Sequence, residues 1–135
     1  MDWYMKTYDP SDAASVAQMW NESDEGWPGG FTGGVPFTEE RVRQWLSEER
    51  YIDIFLIVAD QRVVAYCSLY EYGAEPSAAY VALLNCHPRY WKHGFGRELL
   101  KRAVARATEL GYRRLDLHTW PGNLKAVPLY KKCGF

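Results

Sequence analysis

Cysteine is scarce in this chain and badly placed for any covalent or metal framework. Cys67, Cys86 and Cys133 are odd in number, far apart, and form neither a CxxC pair nor a metal-ligand spacing. That excludes a disulfide scaffold and a structural zinc site, and predicts reduced thiols and no bound metal. Long hydrophobic runs are missing too: no segment approaches the roughly 20 apolar residues that a bilayer span requires. The opening Met1-Asp2-Trp3-Tyr4 lacks the basic-then-apolar order of a signal peptide. A cytoplasmic location and no membrane partner are the expectation. Net charge is also near zero, with sixteen Lys+Arg against seventeen Asp+Glu. Such a balance offers no general attraction to nucleic acid, so any anion site must be local. No Ser-His-Asp or Cys-His pairing stands at a spacing that would support a covalent catalyst.

What is abundant is aromatic: 16% of the 135 residues, including ten Tyr and six Trp. Rings of that size fill cores and line pockets. The length suits one domain, 1–135. Trp3 to Tyr8 reads as a first strand. Asp9-Pro10 opens a helix, with Asp9 as cap and Pro10 where a missing N–H costs nothing. Val16, Met19 and Trp20 form that helix's apolar stripe. Glu25 to Phe37 holds five glycines and two prolines and is a loop. Thr38, with Glu39 and Glu40 behind it, starts a second helix reaching about Glu49. Strands near Asp53–Ala59 and Arg62–Tyr72 flank the turn Asp60-Gln61. A third, near Ala79–Cys86, is almost wholly apolar, as a strand covered on both faces should be.

From Gly94 to Leu110 runs the most regular helix pattern. Phe95, Leu99, Ala103 and Leu110 fall on one face, joined by Leu100, Val104 and Ala107, and Gly111 ends it. Arg113–Thr119 alternates apolar and polar residues as a strand with one polar face. Asn123 to Cys133 reads as a last helix.

The chemistry concentrates where the apolar strand meets the long helix, from Leu84 through Cys86-His87-Pro88 to Gly94-Phe95-Gly96-Arg97. A helix start directs unpaired N–H groups and the positive end of its dipole outward, which suits a phosphate or pyrophosphate. Gly94 and Gly96 remove side chains from that approach. Arg89, Lys92, His93 and Arg97 add local positive charge.

The order and spacing of these residues closely resemble the coenzyme motif of the GNAT superfamily of acetyltransferases. That motif is an apolar strand ending in a Val-His-Pro-like triplet, then Arg/Gln-x-x-Gly-x-Gly/Ala and an amphipathic helix. Here it reads Cys86-His87-Pro88, then Trp91-Lys92-His93-Gly94-Phe95-Gly96. The family's next motif is matched by Asn123, Ala126, Leu129-Tyr130 and Gly134-Phe135. The resemblance implies an α/β fold, with a mixed twisted sheet and helices on both faces. It also implies two further C-terminal strands that this chain does not contain. An uncovered edge on the strand at Arg113–Thr119 predicts a partner for it. That partner would be the continuation of a longer protein or, failing that, a neighbouring copy in a homodimer.

Roles follow by position. Backbone groups of Leu84 and Cys86 are implied to pair with the pantetheine arm of acetyl-CoA. N–H groups from Trp91, Lys92, His93, Gly94, Phe95 and Gly96 are implied to cradle its pyrophosphate. Asn123 is implied to bind the arm, and Tyr130 to protonate the departing thiolate. Trp91 stands where the family usually has Arg or Gln. Ala82 and Leu83 stand where many relatives carry a carboxylate base, so the base must come from elsewhere.

His118, Glu71 and Asp116 are the candidates for that base. His118 titrates in the right range and shares a face with Asp116, and Glu71 lies at a strand end on the acceptor side. His87 reads as structural. Glu22, Asp24, Glu25, Trp27 and Phe31 could cover an acceptor pocket, holding an ammonium by charge and ring faces. The expected activity is acetyl transfer from acetyl-CoA to a primary amine, on a small molecule or a peptide, by direct attack in a ternary complex. The alternative is a coenzyme A-binding or sensing module without turnover.

Overall fold

Residue by residue, the elements form for reasons visible in their caps and turns. In the computed structural model, which describes residues 2–23, 34–71 and 77–117, strand β1 (Trp3–Thr7) runs into a capping box. The Asp9 carboxylate accepts from the Ser11 N–H at 2.9 Å, and Asp12 accepts from the Asp9 N–H at 2.9 Å. One 3₁₀ turn, Pro10–Asp12, then leads into α1 (Ala13–Glu22). Thr38 caps α2 (Glu39–Trp45) by accepting from the Arg41 N–H at 3.1 Å.

That second helix is shorter than its sequence pattern. It stops at Trp45 rather than near Glu49, because the Ser47 hydroxyl donates to the Gln44 carbonyl at 2.6 Å and competes for the next helical bond. Glu48 therefore sits in a loop, a displacement that matters below.

Strands β2 (Tyr51–Ala59) and β3 (Arg62–Glu71) form a hairpin through Asp60 and Gln61, both at positive φ (52° and 63°). Two left-handed residues in succession match the twist of a two-residue hairpin. The Asp60 carboxylate accepts from the Tyr90 hydroxyl at 2.6 Å, tying this turn to the β4–α3 connection. β4 (Ala78–Cys86) pairs antiparallel with β3. After α3 (Phe95–Glu109) the chain returns as β5 (Arg114–Leu117), parallel to β4.

The sheet order is β1-β2-β3-β4-β5, a mixed sheet as expected. Helix α3 covers one face with Phe95, Leu99, Leu100, Ala103 and Ala107, all buried against Phe55, Cys67, Leu69 and Val81. Leu110, expected on that stripe, is 45% exposed because the helix has ended before it. Helices α1 and α2 cover the other face, where Val16, Met19, Trp20 and Val42 pack on Leu56, Val63 and Tyr66. Among the described residues, no helix is long and apolar enough to cross a membrane.

One irregularity shapes the centre. Ser68 pairs with Leu83 but Leu69 pairs with Val81, so Ala82 is an extra residue in β4. Below this bulge Ala79 and Val81 face α3. Above it Leu84 and Cys86 do so, and Leu83 packs with the α1 side.

Candidate active site

The turn from β4 to α3 is built by short-range contacts. His87 is 3% exposed. Its Nδ1 accepts from the Arg89 N–H at 3.1 Å, which leaves Nε2–H to donate to Glu22 at 2.9 Å. Glu22 also pairs with Arg62 at 3.0 Å. Burial would raise the Glu22 carboxyl, but the His87 and Arg62 contacts outweigh it and hold it below the ordinary range. His87 is thus structural, as its place before Pro88 suggested, and Glu22 joins it to Arg62 in one network. Asp24, Glu25, Trp27 and Phe31 lie outside the described residues.

A 3₁₀ segment, Pro88–His93, carries the chain to Gly94, whose φ of +74° only glycine adopts without strain. The first bond within α3 runs from the Glu98 N–H to the Gly94 carbonyl at 3.1 Å. The N–H groups of Phe95, Gly96 and Arg97 precede it and have no carbonyl of the helix to meet. Among the described residues, a Cβ at Gly96 would meet nothing within 4 Å, which leaves the space above these donors open to a ligand. Phe95 contributes only its backbone, since its ring is buried edge-on to Trp3 with centroids 5.3 Å apart. Lys92, His93 and Arg97 are exposed around the turn.

Strand β4 presents a second backbone feature. The His87 N–H donates to Val64 of β3 at 2.9 Å. By strand alternation Asn85 also faces β3, while the N–H and C=O groups of Leu84 and Cys86 point away from it. The Cys86 carbonyl accepts from the Trp91 indole N–H at 2.8 Å. Trp91, 56% exposed, thereby braces the end of β4 with its side chain. Burial pushes the Cys67 thiol up to about 12 and Cys86 up to about 11, so neither is a nucleophile at neutral pH.

On the opposite face of β4 lies a cavity of about 210 Å³. Trp20 and Trp45 close it from the helices, while Tyr66, Ser68 and Tyr70 of β3 and Tyr80, Ala82 and Leu83 of β4 form its floor. Its one carboxylate among the described lining residues is Glu48, which accepts a hydrogen bond from the Tyr70 hydroxyl. That bond is the largest influence on Tyr70, whose phenol is pushed up to about 12 and stays a donor. Ala82 and Leu83 do line the pocket where a base was expected to be missing. Glu71 does not: it is exposed at the end of β3, with its N–H bonded to the Arg50 carbonyl at 3.1 Å. His118, Asn123 and Tyr130 lie outside the described residues, as does the helix expected over 123–133. Sequence reasoning missed Glu48, because the acidic pattern after Thr38 made it look like a solvated helix residue.

The family pattern of the acetyltransferase (GNAT) family matches residues 16–135, and the chain belongs to that family. Solved structures share the fold. A GNAT-family acetyltransferase from Streptococcus pneumoniae superposes with a TM-score of 0.76 at 22% identity, over 98% of this chain and 84% of that one. The ribosomal-protein-S18-alanine N-acetyltransferase of Escherichia coli gives 0.68 at 18% identity, over 98% and 77%. An aminoglycoside acetyltransferase from an uncultured soil metagenomic sample, in complex with trehalose, gives 0.72 at 14% identity, over 98% and 88%. At these identities the likeness concerns the fold.

Proposed function

We propose that this protein transfers an acetyl group from acetyl-CoA to a primary amine by direct attack in a ternary complex. The observation that carries the reading is the junction of β4 with α3. A strand end whose Leu84 and Cys86 backbone groups point away from β3 meets a left-handed Gly94 and a helix N-terminus under open space. An extended amide-bearing arm would add to the strand as a further strand does. The pyrophosphate at its other end would rest on the N–H groups of Gly94 to Gly96, favoured by the helix dipole.

Catalysis then needs a neutral amine at the thioester carbonyl, N–H donors to steady the oxyanion, and a proton for the leaving sulfur. Tyr130 is the proton donor that the motif assigns. His118 remains a candidate base alongside Glu71, though the exposed position of Glu71 favours it less. The high thiol values of Cys67 and Cys86 support direct attack over an acyl-enzyme.

The test is release of free coenzyme A from acetyl-CoA with a panel of primary amines, in wild type and Tyr130→Phe. Wild type should turn over. The variant should lose roughly 10²–10⁴-fold in kcat with coenzyme affinity little changed. Retained turnover in Tyr130→Phe would assign the proton to another group. The second reading, a coenzyme-binding module without turnover, draws on Ala82 and Leu83, which place no carboxylate on the pocket floor. Tight coenzyme binding with no turnover on any amine would favour it.

A further inference from the structure

The cavity on the α1 side of β4 is more selective than a generic amine site. Its walls are rings packed edge to face. Trp20 and Tyr66 have centroids 5.1 Å apart, and Tyr70 and Tyr80 are 5.3 Å apart. Ring faces attract cations and bury apolar bodies. The Ser68 hydroxyl, 1% exposed, lies beside the Tyr66 phenol and acts on it. Glu48 is the carboxylate at this wall, held by Tyr70. No Lys, Arg or His stands among the described lining residues. Arg50 acts on Tyr70 only through space and is the weakest of the influences on it.

From these features we infer that the acceptor is a compact primary amine with an aromatic or apolar body and no acidic group. This inference rests on the acetyl-transfer reading and narrows it. The ammonium would pair with Glu48 while the body fills the space between Trp20, Tyr66 and Tyr80. At about 210 Å³ the cavity has room for a single ring and a short chain. A carboxylate beside the amine, as in a free amino acid, would face Glu48 and ring π-faces with no cation among the described lining residues to neutralise it. Like charges in a partly desolvated site are disfavoured.

A matched pair tests the charge rule apart from size: phenethylamine and phenylalanine share a body and differ by one carboxylate. Calorimetric titration of the full chain should show phenethylamine binding and phenylalanine binding at least tenfold more weakly. Glu48→Gln, a change in an exposed loop, should weaken phenethylamine by roughly 3–10-fold, as expected for one partly screened ion pair. Glu48→Lys should reverse the preference toward phenylalanine.

Equal binding of the pair, or no binding of phenethylamine by wild type, would overturn the assignment whatever the turnover. So would Glu48→Lys leaving the preference unchanged. Binding of phenethylamine without acetylation would sustain the pocket and sink the transferase reading instead. Acetylation of a larger amine in preference to phenethylamine would do the converse.

Discussion

At the scale of single residues, the two glycines of the turn act through different physics. Gly94 is required by its backbone conformation, with φ at +74°. Gly96 lies within α3, where any residue could adopt the backbone, and what it supplies is the open space above the first turn. Gly96→Asp therefore separates binding from folding. An acidic side chain in the first turn of a helix is favourable to the helix by about 0.3–1 kcal/mol. The same carboxylate would face a bound pyrophosphate. Melting temperature should hold or rise slightly, while coenzyme affinity falls by roughly 100-fold or more. An unchanged affinity by calorimetry would remove the pyrophosphate from this turn.

At the scale of elements, α1 and the β4–α3 turn are joined by Glu22 between His87 and Arg62. The Glu22 carboxyl is depressed in the folded protein below its ordinary 4.5. Its stabilising contribution is therefore fully present above that value and is lost as pH falls through the folded-state pKa. Because Glu22 is 37% exposed, screening reduces the effect. Glu22→Gln should lower the melting temperature by about 2–5 °C at pH 7. The gap between variant and wild type should close as pH drops below 4. A gap independent of pH would mean that the side chain acts by packing rather than by charge.

The same scale explains what could be read from the amino acids alone. The turn at Gly94 was legible because its determinants are local: an apolar strand, a His-Pro, two glycines and an amphipathic helix within one short stretch. The hairpin at Asp60-Gln61 and the cap at Thr38 were legible for the same reason. The acceptor pocket was not. Its walls come from α1, the loop after α2, β3 and β4, which meet only through the sheet. Glu48 reached the pocket because α2 ended at Trp45, and helix ends are decided by competition among a few weak bonds. Rings such as Tyr66 and Tyr70 looked like ordinary strand residues, since nothing in a period of two says which face holds a cavity.

At the scale of the whole molecule, the sheet separates two apolar layers, α3 on one side and α1 with α2 on the other. Leu99 is fully buried at the centre of the α3 layer, remote from the aromatic pocket across the sheet. Leu99→Ala should cost about 2–5 kcal/mol in denaturant unfolding. Under conditions where the variant remains folded, phenethylamine affinity should stay within about twofold, because distant sites are close to independent. A larger change would show that the layers are coupled through β4.

The extra residue at Ala82 has a consequence for how this protein tolerates genetic change. The bulge resets which side of the sheet each side chain occupies, so β4 behaves as two frames spliced at one point. A substitution in the strand alters one contact. Deletion of the single codon for Ala82 would straighten the splice, making Leu69–Val81 and Ser68–Leu83 consecutive pairs while every other side chain of β4 keeps its face. Ala82 is therefore the point at which β4 best tolerates a change of length. A variant lacking it should still turn Leu84 and Cys86 toward α3 and Leu83 toward the aromatic pocket.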